Sequence, residues 1–132
     1  MRVLALIALC ATPAAAGGWN AAQAQSALLA CDEPGLACAV RVNAMCVTEG
    51  GRGCDATTAQ AADQMMRTAY ADTRRAVEQG ENTAGMAASD AVARLVHTQS
   101  VWLSQRDSRC GSDLICLTGL NTDRAKYLVE QT

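Results

Sequence analysis

Six cysteines in a chain of this size constrain the fold more than any other feature. The chain has seven, but Cys10 lies in an N-terminal stretch that reads as a secretory leader. MRVLALIALCATPAAA has one positive charge, an apolar run from Val3 to Ala11, and Pro13 before Ala14-Ala15-Ala16, the layout of a signal peptide. The leader is read as residues 1–16, with cleavage after Ala24 as the second choice. Its apolar run is too short to span a membrane. Leu9 before Cys10 is a poor fit to lipid attachment. Leu28-Leu29-Ala30-Cys31 fits a lipobox in isolation but lies beyond a polar break. The reading is therefore a periplasmic or secreted protein. Its six remaining cysteines, Cys31, Cys38, Cys46, Cys54, Cys110 and Cys116, then form three disulfides.

Zinc is the competing use of four of them. The gaps between Cys31, Cys38, Cys46 and Cys54 lack the close pairs that wrap one metal ion, so structural disulfides are favoured and no metal is expected. Spacing leaves the pairing of these four open. Cys110 and Cys116 are different, because Gly111-Ser112 between them breaks a helix. A corner there brings the two Cα atoms within disulfide reach, whereas six residues of continuous helix would hold them about 9 Å apart. A Cys110–Cys116 bond is expected.

What builds the core follows from composition. Phe is absent and there are only two Trp and two Tyr, so the interior must consist mainly of Ala, Leu, Val, Met and cystine. Ala and Met favour helices, and β-branched and aromatic runs are scarce. The fold class is all-α: a small disulfide-stapled bundle of antiparallel helices with an irregular cystine-rich N-terminal segment. Without Arg2 the chain carries 10 basic and 13 acidic groups, which gives nucleic acid or an anionic membrane nothing to attract.

Breakers divide the chain into a cystine-rich segment at residues 17–55 and a helical core at 56–132. Asn20 to Ala30 reads as a short helix capped at Asn20 or a neighbour and ended by Pro34-Gly35, and Leu36 to Val47 as a further turn or two. Ala56 to Gln79 reads as one long helix, with Ala62, Met66, Ala69 or Tyr70, Thr73 and Val77 on its apolar side. A second starts at Met86 or Asp90 and ends at Arg109, its stripe being Val92, Leu95, Val96, Gln99, Trp102, Leu103 and Arg106. The third runs from Asp113 to about Glu130, capped by Ser112, with Leu114, Leu117, Leu120 or Asn121, Arg124 and Leu128 inward. Gly119 inside it costs about 0.5 to 1 kcal/mol relative to Ala, and a close helix approach would explain it.

Reaction chemistry is not evident. His97 is the only histidine, and Ser100 and Ser104 share its helix, but a nucleophile, base and orienter must converge from separate elements. Asp32-Glu33 is the only adjacent carboxylate pair and sits in a loop. There is no phosphate-binding glycine loop, zinc-hydrolase motif or CxxC redox site. The chain is read as a non-enzyme without cofactor. Arg106 is the charge that needs an explanation: one turn after Trp102, it can lay its guanidinium on the indole while its tip reaches a carboxylate or the carbonyls of the third helix and braces the corner, a structural role favoured over a recognition patch at Arg106-Asp107.

Taken together, the residues carry a family pattern. WLSQRDSRC fits W-x-x-x-R-D-x-x-C through Trp102, Arg106, Asp107 and Cys110. CLTGLNTDRAKYL fits C-L-x-x-L-x-x-x-R-x-x-x-L through Cys116, Arg124 and Leu128. Upstream, Ala62-Asp63 with Met66 and Tyr70 resembles A-D-x-x-L-N-x-x-Y, and Gln25, Leu28 and Cys31 resemble Q-x-x-L-N-x-C. The chain thus resembles the bacterial exported domain family named after the lysozyme inhibitor LprI. It departs from the pattern at Leu29, Arg67 and Asn121, and Asp32 to Thr57 reads as an insertion. The resemblance implies a small helical exported protein and, as partner, a lysozyme that it blocks. The alternative is a structural or accessory envelope protein displaying a durable surface to another envelope partner.

Overall fold

In the computed structural model, which describes residues 19–131, the chain forms five helices: α1 (Ala21–Leu29), α2 (Gly35–Thr48), α3 (Cys54–Glu78), α4 (Ala88–Cys110) and α5 (Leu114–Glu130). There is no strand among the described residues. The leader lies outside them. Ala24, the second cleavage choice, is fully buried within α1, so a cut after it would remove the Asn20 cap and the first turn. That cap is reciprocal: Asn20 accepts from the Gln23 amide and the Gln23 side chain accepts from the Asn20 amide, satisfying two otherwise unpaired donors.

Residues 19–55 are more regular than expected. In place of an irregular staple there are two helices, and α2 runs for 14 residues. Two disulfides hold them, Cys31–Cys38 and Cys46–Cys54, with Cα separations of 5.8 and 5.7 Å. The pairing is local in both cases. The segment shares its core with the later helices. Leu28, Cys31, Cys38 and Val42 lie in one buried cluster with Ala62, Met65, Met66, Ala69, Ala125 and Leu128, so α1 and α2 complete the interior that α3 and α5 begin.

The apolar side of α3 is the one its periodicity predicts: Ala62, Met66, Ala69, Thr73 and Val77 are buried. Helix α5 differs. Its buried residues are Thr118, Gly119, Asn121, Thr122, Ala125 and Leu128, while Leu114, Leu117 and Leu120 are only half-buried. The reason is that α5 packs on two neighbours, α3 and α2. A helix enclosed on two sides needs small residues where backbones approach, and threonines can turn their hydroxyls back onto their own helix. Thr118 does so, donating to the Leu114 carbonyl at 2.7 Å. The Thr73 hydroxyl of α3 lies 2.8 Å from the Ala69 carbonyl and 3.1 Å from that of Leu128, joining α3 to α5.

Helix α2 begins at Pro34-Gly35 without a cap from its own side chains. Asp123 of α5 supplies one: its Oδ1 accepts from the Gly35 amide at 2.9 Å, and a carboxylate suits the positive end of that helix. Asp113, and not Ser112, caps α5, accepting from the Cys116 amide at 3.0 Å. Ser112 falls one position too early because Gly111 (φ 54°) turns the chain within a single residue. Cys110 and Cys116 are bonded across this corner with Cα atoms 5.4 Å apart. Replacing both with Ser is expected to cost about 2 kcal/mol for so short a loop. Urea unfolding would read it. A loss below about 0.5 kcal/mol would mean that the Asp113 cap and helix packing already hold the corner.

Candidate functional site

Trp102, Arg106, Asp107 and Arg124 belong to α4 and α5, and folding gathers three of them into one stack. The Arg106 guanidinium lies 5.6 Å from the centroid of the Trp102 ring, and Arg124 lies 5.4 Å from the same ring and 5.1 Å from Tyr127. Cations over aromatic faces are held by the ring quadrupole. The order is therefore Arg106, Trp102, Arg124, Tyr127, a ladder running along the α4–α5 junction. Burial pulls Arg124 below the ordinary guanidinium value.

The polar ends of the ladder are also satisfied. Arg124 Nε donates to Gln99 Oε1 at 2.9 Å, and Gln99, buried, donates through Nε2 to Met66 Sδ at 3.1 Å. Arg106 Nε donates to Asp107 Oδ1 at 2.9 Å and its Nη1 to Asn121 Oδ1 at 3.1 Å. Its Nη1 is 3.7 Å from Asp63 Oδ1, and its side chain is only 16% exposed. Arg106 thus ties α4 to both α3 and α5. Trp102 is half-buried against the core, not fully enclosed, because most of α4 stays open to solvent. Ala91, Gln99 and Cys110 are its buried residues, and Val96 of the expected stripe is exposed.

The remaining signature residues play comparable parts. Leu128 is buried in the main cluster and Tyr70 packs against that cluster from its edge. His97, Ser100 and Ser104 are exposed along α4.

Two surfaces stand out. A groove of about 630 Å³ opens between α1, α3 and α5, with Leu29, Met65, Ala69 and Ala125 on its apolar walls and Asp72, Lys126 and Glu130 at its rim. Lys126 donates to the Cys31 carbonyl at 2.6 Å, fixing the edge of the groove to the first disulfide. The second surface is the outer face of α2. Leu36, Val40, Met45 and Val47 are exposed there, around Arg41. Arg41 forms an ion pair with Glu33, and its Nη2 sits 3.1 Å from Cys31 Sγ. The guanidinium beside Glu33 holds that carboxyl below the usual range. Neither surface was found by periodicity, although the single charge in LACAVRVNAMCV is the signal that points to the second.

A family model described as lysozyme inhibitor LprI matches residues 38–128. The match begins inside α2 and ends at Leu128, so it takes in the ladder, the Cys110–Cys116 corner and much of the segment read as an insertion. No curated protein and no solved structure matches the chain.

Proposed function

This chain belongs to the lysozyme inhibitor LprI family, and from that premise we propose that it is a non-enzymatic exported binding protein that occludes a lysozyme. The family match, covering four of the five helices from Cys38 onward, is the observation that carries the reading. Three disulfides fit an oxidising compartment outside the cytoplasm. They also fit the work of an inhibitor, because a surface held rigid before contact loses little freedom on binding. No helix among the described residues is long and apolar enough to cross a membrane.

Charge supports the choice of partner. Lysozymes are basic and this chain has a formal net charge of -2, a balance that speeds encounter more than it tightens the complex. The test is a lysis assay with the purified oxidised protein against several lysozyme types. A dose-dependent loss of lysis with at least one of them is expected, with association slowing as salt is raised. No inhibition at large molar excess of any type would overturn the reading in favour of an accessory envelope protein.

A further inference from the structure

Helix α2, GLACAVRVNAMCVT, contains one charged residue. Its inner side, Gly35, Cys38, Ala39, Val42 and Cys46, is buried against the bundle. Its outer side is largely apolar too, apart from Arg41 and Thr48: Leu36 is 59% exposed, Val40 56% and Val47 61%, with Ala37 and Ala44 between them. A helix that is apolar all round is ordinarily enclosed on every side. Here half of it faces outward, and contiguous exposed apolar surface of this kind is what marks a contact site.

Several features adapt this face to a receptor cleft. Disulfides pin both ends, Cys31–Cys38 at the first turn and Cys46–Cys54 at the last, so about 21 Å of helix is presented as a rigid convex rod. Arg41 decides the kind of partner. It is 48% exposed and held in place by Glu33, by Cys31 Sγ at 3.1 Å and by Met45 Sδ at 3.8 Å. A fixed cation within an apolar surround complements a concave site whose own charges are carboxylates. A glycosidase cleft is such a site, with two carboxyl groups flanking the scissile bond.

We propose that the outer face of α2, centred on Val40 and Arg41, docks in the catalytic cleft of the inhibited lysozyme, with Arg41 directed at its acidic pair. The inference rests on the lysozyme reading above and adds the surface and the mode of inhibition. Competition with sugar should follow: a soluble chito-oligosaccharide that fills the cleft displaces the inhibitor.

The experiment compares the oxidised protein with Val40→Glu, with Arg41→Gln and with Val101→Glu, a control on α4 where Val101 is 43% exposed. Inhibition by Val40→Glu is expected to weaken at least tenfold and by Arg41→Gln several-fold, while Val101→Glu inhibits as the unmodified protein does. Circular dichroism shows whether each variant is folded. Should Val40→Glu be misfolded, Arg41→Gln and slowed amide exchange of α2 in the unmodified complex decide the matter. Full inhibition by folded variants of α2, or equal binding to lysozyme saturated with chito-oligosaccharide, would overturn the docking face while leaving lysozyme inhibition in place. Absence of inhibition by the unmodified protein would overturn both.

Discussion

Gly119→Val is expected to destabilise the oxidised protein by about 3 kcal/mol, at the upper end of what overpacking normally costs. A Cβ at Gly119 would stand 2.9 Å from both the Cα and the amide nitrogen of Leu36 and 3.0 Å from the Gly35 carbonyl carbon, and a Cβ at Gly35 would stand 2.0 Å from the Gly119 oxygen. Each of these neighbours is backbone, so no side-chain rotation relieves the clash. Helix α2 would have to move bodily. It is held against that movement by two disulfides and by the Asp123 cap. Helix propensity acts in the opposite direction, since replacing a mid-helix glycine with Ala contributes about 0.5 to 1 kcal/mol. The two effects are separable by sign. Gly119→Ala should also lower the melting temperature, by less than the Val variant. A Gly119→Ala protein as stable as the unmodified one would mean that α2 and α5 do not approach this closely.

Trp102→Ala should cost about 3 kcal/mol, the low end for removing a buried indole because this one is only half-buried. The cost has two sources. Part is the apolar surface that Trp102 covers over the core beside Leu95 and Leu103. The rest comes from Arg106 and Arg124, which both lose a ring face, and Arg124 would be left in a partly buried site with Gln99 as its hydrogen-bond acceptor. Trp102→Phe keeps an aromatic face and should recover more than half of the loss. Chemical denaturation of the three proteins is the measurement. If Trp102→Ala loses under about 1 kcal/mol while inhibition collapses, the indole is a contact residue, in keeping with the enrichment of Trp at binding hot spots.

The all-helical class could be read from the chain because its causes are local. Alanine and methionine content, the Asn20 cap, and the glycines at 80 and 111 each act within a few residues, and the apolar spacing of α3 reports directly which side turns inward. The same locality made the Trp102 to Leu128 pattern recognisable as that of the LprI family. Where two neighbours share one helix, periodicity misled. Of the expected stripe of α5, Asn121 and Leu128 are buried while Leu114, Leu117, Leu120 and Arg124 are only half-buried, and the remaining burial goes to Thr118, Gly119, Thr122 and Ala125, because backbone proximity to α2 selects for small volume over hydrophobicity.

Helix α2 shows the same division. Its strand-poor, charge-poor sequence told of a short helical stretch between cysteines, but its full length depends on a cap supplied by Asp123, 88 positions away. Arg106 had a partner expected from its own helix, Trp102, whereas Asn121 and Asp63 come to it from α5 and α3. Residue type, spacing and breakers therefore determined which segments are helical and which family the chain joins. The crossing of α2 over α5, the two-sided stacking of Trp102 and the outward apolar face of α2 were decided only in the tertiary structure. They depend on interhelical distance, which no single segment encodes and which packing settles once all five helices compete for one core.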